Sequence, residues 1–218
     1  MSTPIGYTRR QAMLLGASAS ALGFGAWPTW AALIPTPRQT AGPFYPDKLP
    51  LDDDNDLVVV KGQPRPAKGE VVHVWGRVVD EGGGALSDAR VEIWQCDANG
   101  VYHHPADRGG ADPGFQGFGH TATMADGGYR FRTIKPVPYT GRVPHIHFAV
   151  RGPRVQNFTT QMYLADYPAN ERDFIFRSID PKARAGVLVK FQPAAELFGA
   201  GAVAGRFDIV LARSLFSG

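Results

Sequence analysis

The sequence predicts an all-β fold, a sandwich of mainly antiparallel short strands with little helix, and three observations predict it. Runs of β-branched and aromatic residues recur along the chain, as in V-V-H-V-W-G-R-V-V-D at 71 to 80 and R-V-E-I-W-Q-C at 90 to 96. Turn residues separate these runs, and 26 Gly and 18 Pro in 218 residues leave little room for long helices. Only one segment, P-A-N-E-R-D-F-I-F-R-S-I at 168 to 179, suits even a short helix. There is no internal repeat, and the length is that of one domain able to bury a core without staples.

The first 32 residues read as a targeting segment. T-R-R-Q at 8 to 11 precedes an Ala/Gly/Ser-rich, mildly apolar run, the pattern of a twin-arginine (Tat) export signal, with cleavage expected near Ala31 or Ala32. The run is too short and too diluted by Gly and Ser for a membrane span. The expectation is therefore a protein handed to the Tat export machinery and released to the periplasm or beyond. The formal charge of +3 falls to +1 without Arg9 and Arg10, so no basic stripe supports a nucleic-acid partner. The single cysteine, Cys96, excludes an intramolecular disulfide and sits among strand residues as a buried small hydrophobe.

From residue 33 to 66 the chain is expected to run extended over the surface of the domain that occupies 67–218. T-A-G-P-F-Y-P at 40 to 46 is too aromatic for a free linker and should pack on that domain. D-D-D-N-D at 52 to 56 lacks the glycine and distal glutamate of a calcium loop and reads as a solvated loop. The strands at 71 to 80 and 90 to 96, joined by E-G-G-G-A-L-S-D, read as neighbours. D-A-N-G at 97 to 100 then turns the chain into V-Y-H-H-P. Y-R-F-R-T-I at 129 to 134, F-T-T-Q-M-Y-L at 158 to 164 and R-F-D-I-V-L-A at 206 to 212 are further strands, the last with Phe207, Ile209 and Leu211 on one face.

Chemistry concentrates in Y-T-G-R-V-P-H-I-H-F at 139 to 148. On a strand, His145 and His147 share one face with Ala149, while Ile146, Phe148 and Val150 form an apolar opposite face that seats on a core. Two imidazoles on a rigid support can begin a metal site, but H-x-H alone is a weak signal and needs further ligands. The cupin arrangement is excluded, because no acid follows in F-A-V-R-G-P-R. Of the remaining histidines, His73, His103, His104 and His120, the adjacent pair His103 and His104 would point apart on a strand, and each is better read as a loop residue than as a ligand.

Four blocks in order, D-A-N-G-V-Y-H-H, F-Q-G-F-G-H-T-A-T, G-G-Y-R-F-R-T-I-K-P-V-P-Y and R-V-P-H-I-H-F, together with T-A-G-P-F-Y-P, resemble the intradiol ring-cleavage dioxygenases, in their protocatechuate 3,4-dioxygenase-like branch. The resemblance implies a non-haem Fe(3+) cofactor with Tyr102, Tyr139, His145 and His147 as ligands. It also implies an active-site arginine at Arg142 and a glutamine beside the metal at Gln161. A catechol-type small molecule and O2 would be the substrates, with ring opening between the hydroxyl-bearing carbons to a muconate. Tyr139 would act as both ligand and base, which fits the lack of a catalytic carboxylate on the strand. The loop from Tyr139 to His145 is shorter than in protocatechuate enzymes, implying a more open site. Protocatechuate enzymes of the resembled branch are usually cytoplasmic with two kinds of subunit, whereas this chain, read as exported, is expected to act alone or as a homo-oligomer.

The same residues leave two rivals. G-R-V-V-D-E-G-G-G-A-L-S-D-A-R-V-E-I-W also resembles transthyretin-like and carboxypeptidase-regulatory-like sandwiches that only bind a ligand or partner. A site that holds iron and a catechol without turnover is the other.

Overall fold

Strand β1 (Val71–Asp80) organises the first of two sheets, because its alternating residues Val72, Val74 and Val78 are fully buried while those between them are not. The computed structural model describes residues 32–152 and 155–216, so the expected export signal lies outside the described residues except for Ala32. The remaining strands are β2 (Arg90–Trp94), β3 (Phe118–Ala122), β4 (Gly128–Ile134), β5 (His145–Gly152), β6 (Val155–Leu164), β7 (Leu188–Val189), β8 (Gln192–Pro193), β9 (Val203–Arg206) and β10 (Ile209–Leu211). Two one-turn helices, α1 (Phe174–Arg177) and α2 (Ala195–Phe198), complete the regular elements apart from short 3-10 turns.

In the first sheet β1 pairs antiparallel with β4 along one edge, and parallel with β9 and then β10 along the other, with β8 outside β9. The second sheet runs β3-β2-β5-β6-β7. Between the sheets lies the main core, in which Ile146, Phe148 and Val150 of β5 meet Val74, Val78, Phe131 and Phe207. Each fully buried large apolar side chain here contributes roughly 1.5–3 kcal/mol. The second sheet is covered on its other face too: Trp94, Cys96, Tyr102, Phe118 and Ala149 cluster there with Phe44, Tyr45 and Tyr139, and Val143, Tyr163, Phe176, Ile179 and Val187 form a further cluster.

Most of the expected strands appear within a residue or two of their expected limits, and the all-β sandwich is the fold. Four details differ. The runs at 71 to 80 and 90 to 96 are not neighbours in one sheet but face each other across the core. The segment between them folds back on β1, with Leu86 N–H donating to the Val78 carbonyl and Asp80 Oδ1 accepting from Gly82 and Gly84. Asp88, at φ 56°, then turns the chain over to the second sheet.

The C-terminal run is also split, into β9 and β10, because residues 207 and 208 cross over β1. Phe207 N–H donates to the Trp75 carbonyl, and Asp208 Oδ1 accepts from Arg77 N–H. The run at 52 to 56 is more than a solvated loop. Asp52 accepts from Lys61 N–H, Asp54 from Asp56 N–H, and Asp56 pairs with Arg132 at 2.9 Å, which staples the lead-in segment to β4. The expected short helix resolves into a 3-10 turn, Asn170–Arg172, followed by α1.

The crossing at residue 207 needs a glycine beneath it. A Cβ on Gly76 would lie 1.9 Å from the Phe207 carbonyl oxygen, the same oxygen that accepts from Tyr129 Oη. Backbone cannot yield there as the tip of a side chain can. Gly76→Ala is expected to lower the unfolding free energy by about 3 kcal/mol, measured by denaturant titration; an unchanged midpoint would contradict this packing.

Candidate metal centre

Strand β5 delivers two imidazoles to one point. His145 and His147 are each 1% exposed, and their Nε2 atoms lie 3.2 Å apart. His145 Nδ1–H donates to the Val143 carbonyl at 2.6 Å, which fixes the tautomer and leaves a lone pair on Nε2. Trp94, opposite His147 on β2, lies parallel to that ring at 4.8 Å and holds it flat. Burial, followed by the charge of Arg142, lowers His145 to about 4. Burial also pushes His147 well below the ordinary histidine range, so both rings are neutral donors at neutral pH.

Tyr102 arrives on a loop that is built to be rigid. The buried Asp97 carboxylate accepts from Asn99 and Val101 N–H through Oδ1 and from Asp112 N–H through Oδ2, while Tyr102 N–H donates to Asp107. The ring stacks on Phe44 at 4.5 Å and stands perpendicular to Tyr139 at 5.3 Å. Tyr139 precedes a tight turn in which Gly141 takes φ 79° and Arg142 N–H donates to the Tyr139 carbonyl. Its ring is 5.5 Å from His145. Burial raises both phenols above their ordinary value, Tyr102 strongly, although the Arg142 charge opposes the rise at each. Among the described residues, Tyr102 Oη is buried without a hydrogen-bond partner, as is Nδ1 of His147.

Arg142 and Gln161 belong to the same assembly. Arg142 Nη2 donates to Gln161 Oε1 at 2.7 Å, and its Nε donates to Asp173 at 2.7 Å. Gln161 Nε2 in turn donates to the Thr40 carbonyl, and Tyr163 Oη to Gln39 Oε1. The six site residues expected from the sequence, Tyr102, Tyr139, Arg142, His145, His147 and Gln161, therefore converge. The segment 40 to 46 packs here as expected, and Gly42, at φ 68°, passes so close that a Cβ would stand 3.4 Å from His147 Cε1.

Sequence reasoning missed Asp173, Trp94, Phe44 and Tyr163 as parts of the site. Asp173 carried one signal, its place just before F-I-F-R as a helix cap. The remaining histidines stay outside: His73 stacks on Phe198 at 4.3 Å, His103 bonds the Asp112 carbonyl, His120 the Asp53 carbonyl, and His104 lies 3.5 Å from Asp47. Cys96 is buried, and burial pushes its thiol up to about 12. Among the described residues no three His, Cys, Asp or Glu side chains cluster as a metal site.

The family model described as dioxygenase matches residues 40–213. The chain is 38% identical over 187 residues to the protocatechuate 3,4-dioxygenase beta chain of Burkholderia cepacia, covering 80% of this chain and 78% of that one. This chain belongs to the intradiol ring-cleavage dioxygenase family. It is also 31% identical to catechol 1,2-dioxygenase of Candida albicans, covering 62% of this chain and 49% of that enzyme, about half its length. Among solved structures, the dioxygenase domain of a dioxygenase carbohydrate-binding protein fusion from Streptomyces sp. SirexAA-E superposes with a TM-score of 0.62 at 31% identity, covering 82% of this chain and 99% of that domain. Family membership decides against the purely ligand-binding sandwich.

The family uses iron, and the residues present fit it. A buried phenol hydroxyl without a partner costs about 1–3 kcal/mol, and Tyr102 Oη is left in that state beside two converging imidazole nitrogens. A cation held by Tyr102, Tyr139, His145 and His147 would favour the anionic phenols that burial alone disfavours.

The Tyr102 loop also depends on Asp112, whose side chain is 1% exposed and pairs with Arg65 at 2.8 Å. Burial would raise this carboxyl, but Arg65 and the N–H groups of Lys68 and Gly114 outweigh it and hold it down to about 2. A folded-state value below the unfolded one stabilises the protein above about pH 4 and is lost as pH falls toward 2. Asp112→Asn is expected to cost about 2 kcal/mol at neutral pH and to flatten the loss of stability between pH 4 and 2, as followed by denaturant titration across that range.

Proposed function

We propose that this chain opens catechol-type aromatic rings between the two hydroxyl-bearing carbons, at a ferric ion held by Tyr102, Tyr139, His145 and His147. Both atoms of O2 enter a muconate-type product, so the reaction needs no external reductant. The observation that carries the reading is the convergence of two neutral imidazoles at 3.2 Å beside a buried, unpartnered tyrosine hydroxyl, in a chain of the intradiol family.

Ferric iron, when bound, supplies a Lewis acid matched to two hard phenolate donors and to a catechol bound as its dianion. The chain's own residues do the rest. Tyr102, stacked on Phe44 and anchored through Asp107, stays in place. Tyr139 sits on a turn rather than a strand and is the donor able to swing away, its Oη taking one substrate hydroxyl proton. Arg142, fixed through Asp173 and Gln161, stabilises negative charge as it develops on the ring. Phe44, Trp94 and Tyr163 exclude water around the donors.

Export by the Tat machinery to the periplasm, or secretion beyond it, remains our proposal for location and rests on Arg9 and Arg10 ahead of the apolar run. We propose an oligomeric assembly, which similar proteins named as alpha and beta chains support, and we propose copies of this one chain as its subunits.

The visible spectrum of the iron-loaded protein tests the site. A broad tyrosinate charge-transfer band is expected, shifting when catechol is added without oxygen and lost or strongly weakened in Tyr102→Phe and Tyr139→Phe. Admitting oxygen should then consume one O2 per ring with muconate formed. A protein that stays colourless after iron loading would sink the proposal, and a shifted band without O2 uptake would leave a catechol binder in place of an enzyme.

A further inference from the structure

We propose that Asp173 is a positioning residue for ring cleavage, aiming the Arg142 guanidinium and bracing the His145 imidazole through one shared carboxylate. The proposal rests on the reading of Arg142 as the charge-stabilising group of the site.

The Asp173 side chain is 0% exposed and Arg142 only 7%, so this is a buried ion pair. Every acceptor position of the carboxylate is in use. Oδ2 accepts from Arg142 Nε at 2.7 Å and from Val143 N–H at 3.2 Å. Oδ1 accepts from Ile175 and Phe176 N–H at 3.0 and 2.9 Å, capping α1, and lies 3.5 Å from Arg142 Nη2.

The Val143 peptide extends this reach. Its N–H is held by Asp173, and its carbonyl accepts from His145 Nδ1 at 2.6 Å. One carboxylate thereby ties down the arginine directly and one imidazole through the backbone of one residue, Val143. Gln161 cannot substitute for it. Its Oε1 is a neutral acceptor that meets only Arg142 Nη2 of the guanidinium. A guanidinium on a turn needs a forked, charged partner to hold its plane, and Asp173 is that partner.

A mere helix cap would behave differently on substitution. Asn also caps well, so Asp173→Asn keeps an acceptor for Ile175 and Phe176 but removes the charge that holds Arg142. In the iron-loaded full chain D173N is expected to lower kcat about 10- to 100-fold, while the catechol affinity, read anaerobically from the charge-transfer shift, changes less than about threefold. In the iron-free chain the hydrogen-bonded Arg142 Nε–H proton resonance should disappear. Arg142→Gln should be as slow as the double variant, because the two residues act as one unit.

Should D173N not fold, the R142Q/D173N chain, which removes the unpaired buried cation together with its partner, should regain a folding transition. A double variant that also shows no folding transition would then overturn the proposal. Wild-type turnover in D173N alongside a slow R142Q would overturn it too, and so would additive losses in the double variant. Wild-type turnover in R142Q would instead overturn the reading of Arg142 on which the proposal rests.

Discussion

The two-residue period of strand β5 is the constraint on which the rest of the molecule depends. Ile146, Phe148 and Val150 are locked into the core between the sheets, and that lock fixes the register of His145 and His147 on the other face. A slip of one residue would exchange the two faces, driving imidazoles into an apolar core. The core thus supplies the precision of the site, because the same side chains that hold the sheets together aim the nitrogens.

A sheet used in this way needs cover on both faces. The first sheet covers one, and irregular chain covers the other: the segment around Phe44, the Tyr102 loop, and the stretch from Tyr163 to Val187. This cover makes the donors of the site dry, and dryness is what holds the imidazoles neutral and the phenols protonated. Loops carry the two tyrosines while a strand carries the two histidines. The division places the histidines on a register-fixed strand and Tyr139 at the start of a tight turn.

Periodicity made the strands and the histidine pair legible, since a half-buried or doubly buried strand writes its faces directly into the sequence. Tyr102, Tyr139, Arg142 and Gln161 carry no such pattern. They were legible only through residue types recurring in familiar blocks, because their shared position is created by tertiary packing. Asp173 and Phe44 had weaker signals still, one a helix cap and the other an aromatic in an extended segment. The pairing of β1 was misjudged for the same reason: its neighbours, β4, β9 and β10, lie far along the chain, and the local turn at 81 to 88 gave no sign that it crosses between sheets.

The extended segment ahead of β1 ties remote parts of the chain together. Thr36 Oγ1 accepts from Val210, 174 positions later, and Gln39 meets Tyr163 across 124 positions. Contacts of such long range close last during folding, because the loop entropy must be spent before they repay it. A ribosome-bound chain that has emerged only as far as the two histidines holds a strand and a loop but no finished cavity. The segment that passes over His147 at Gly42 is thus held in place by residues from much later in the chain, Tyr163 and Val210.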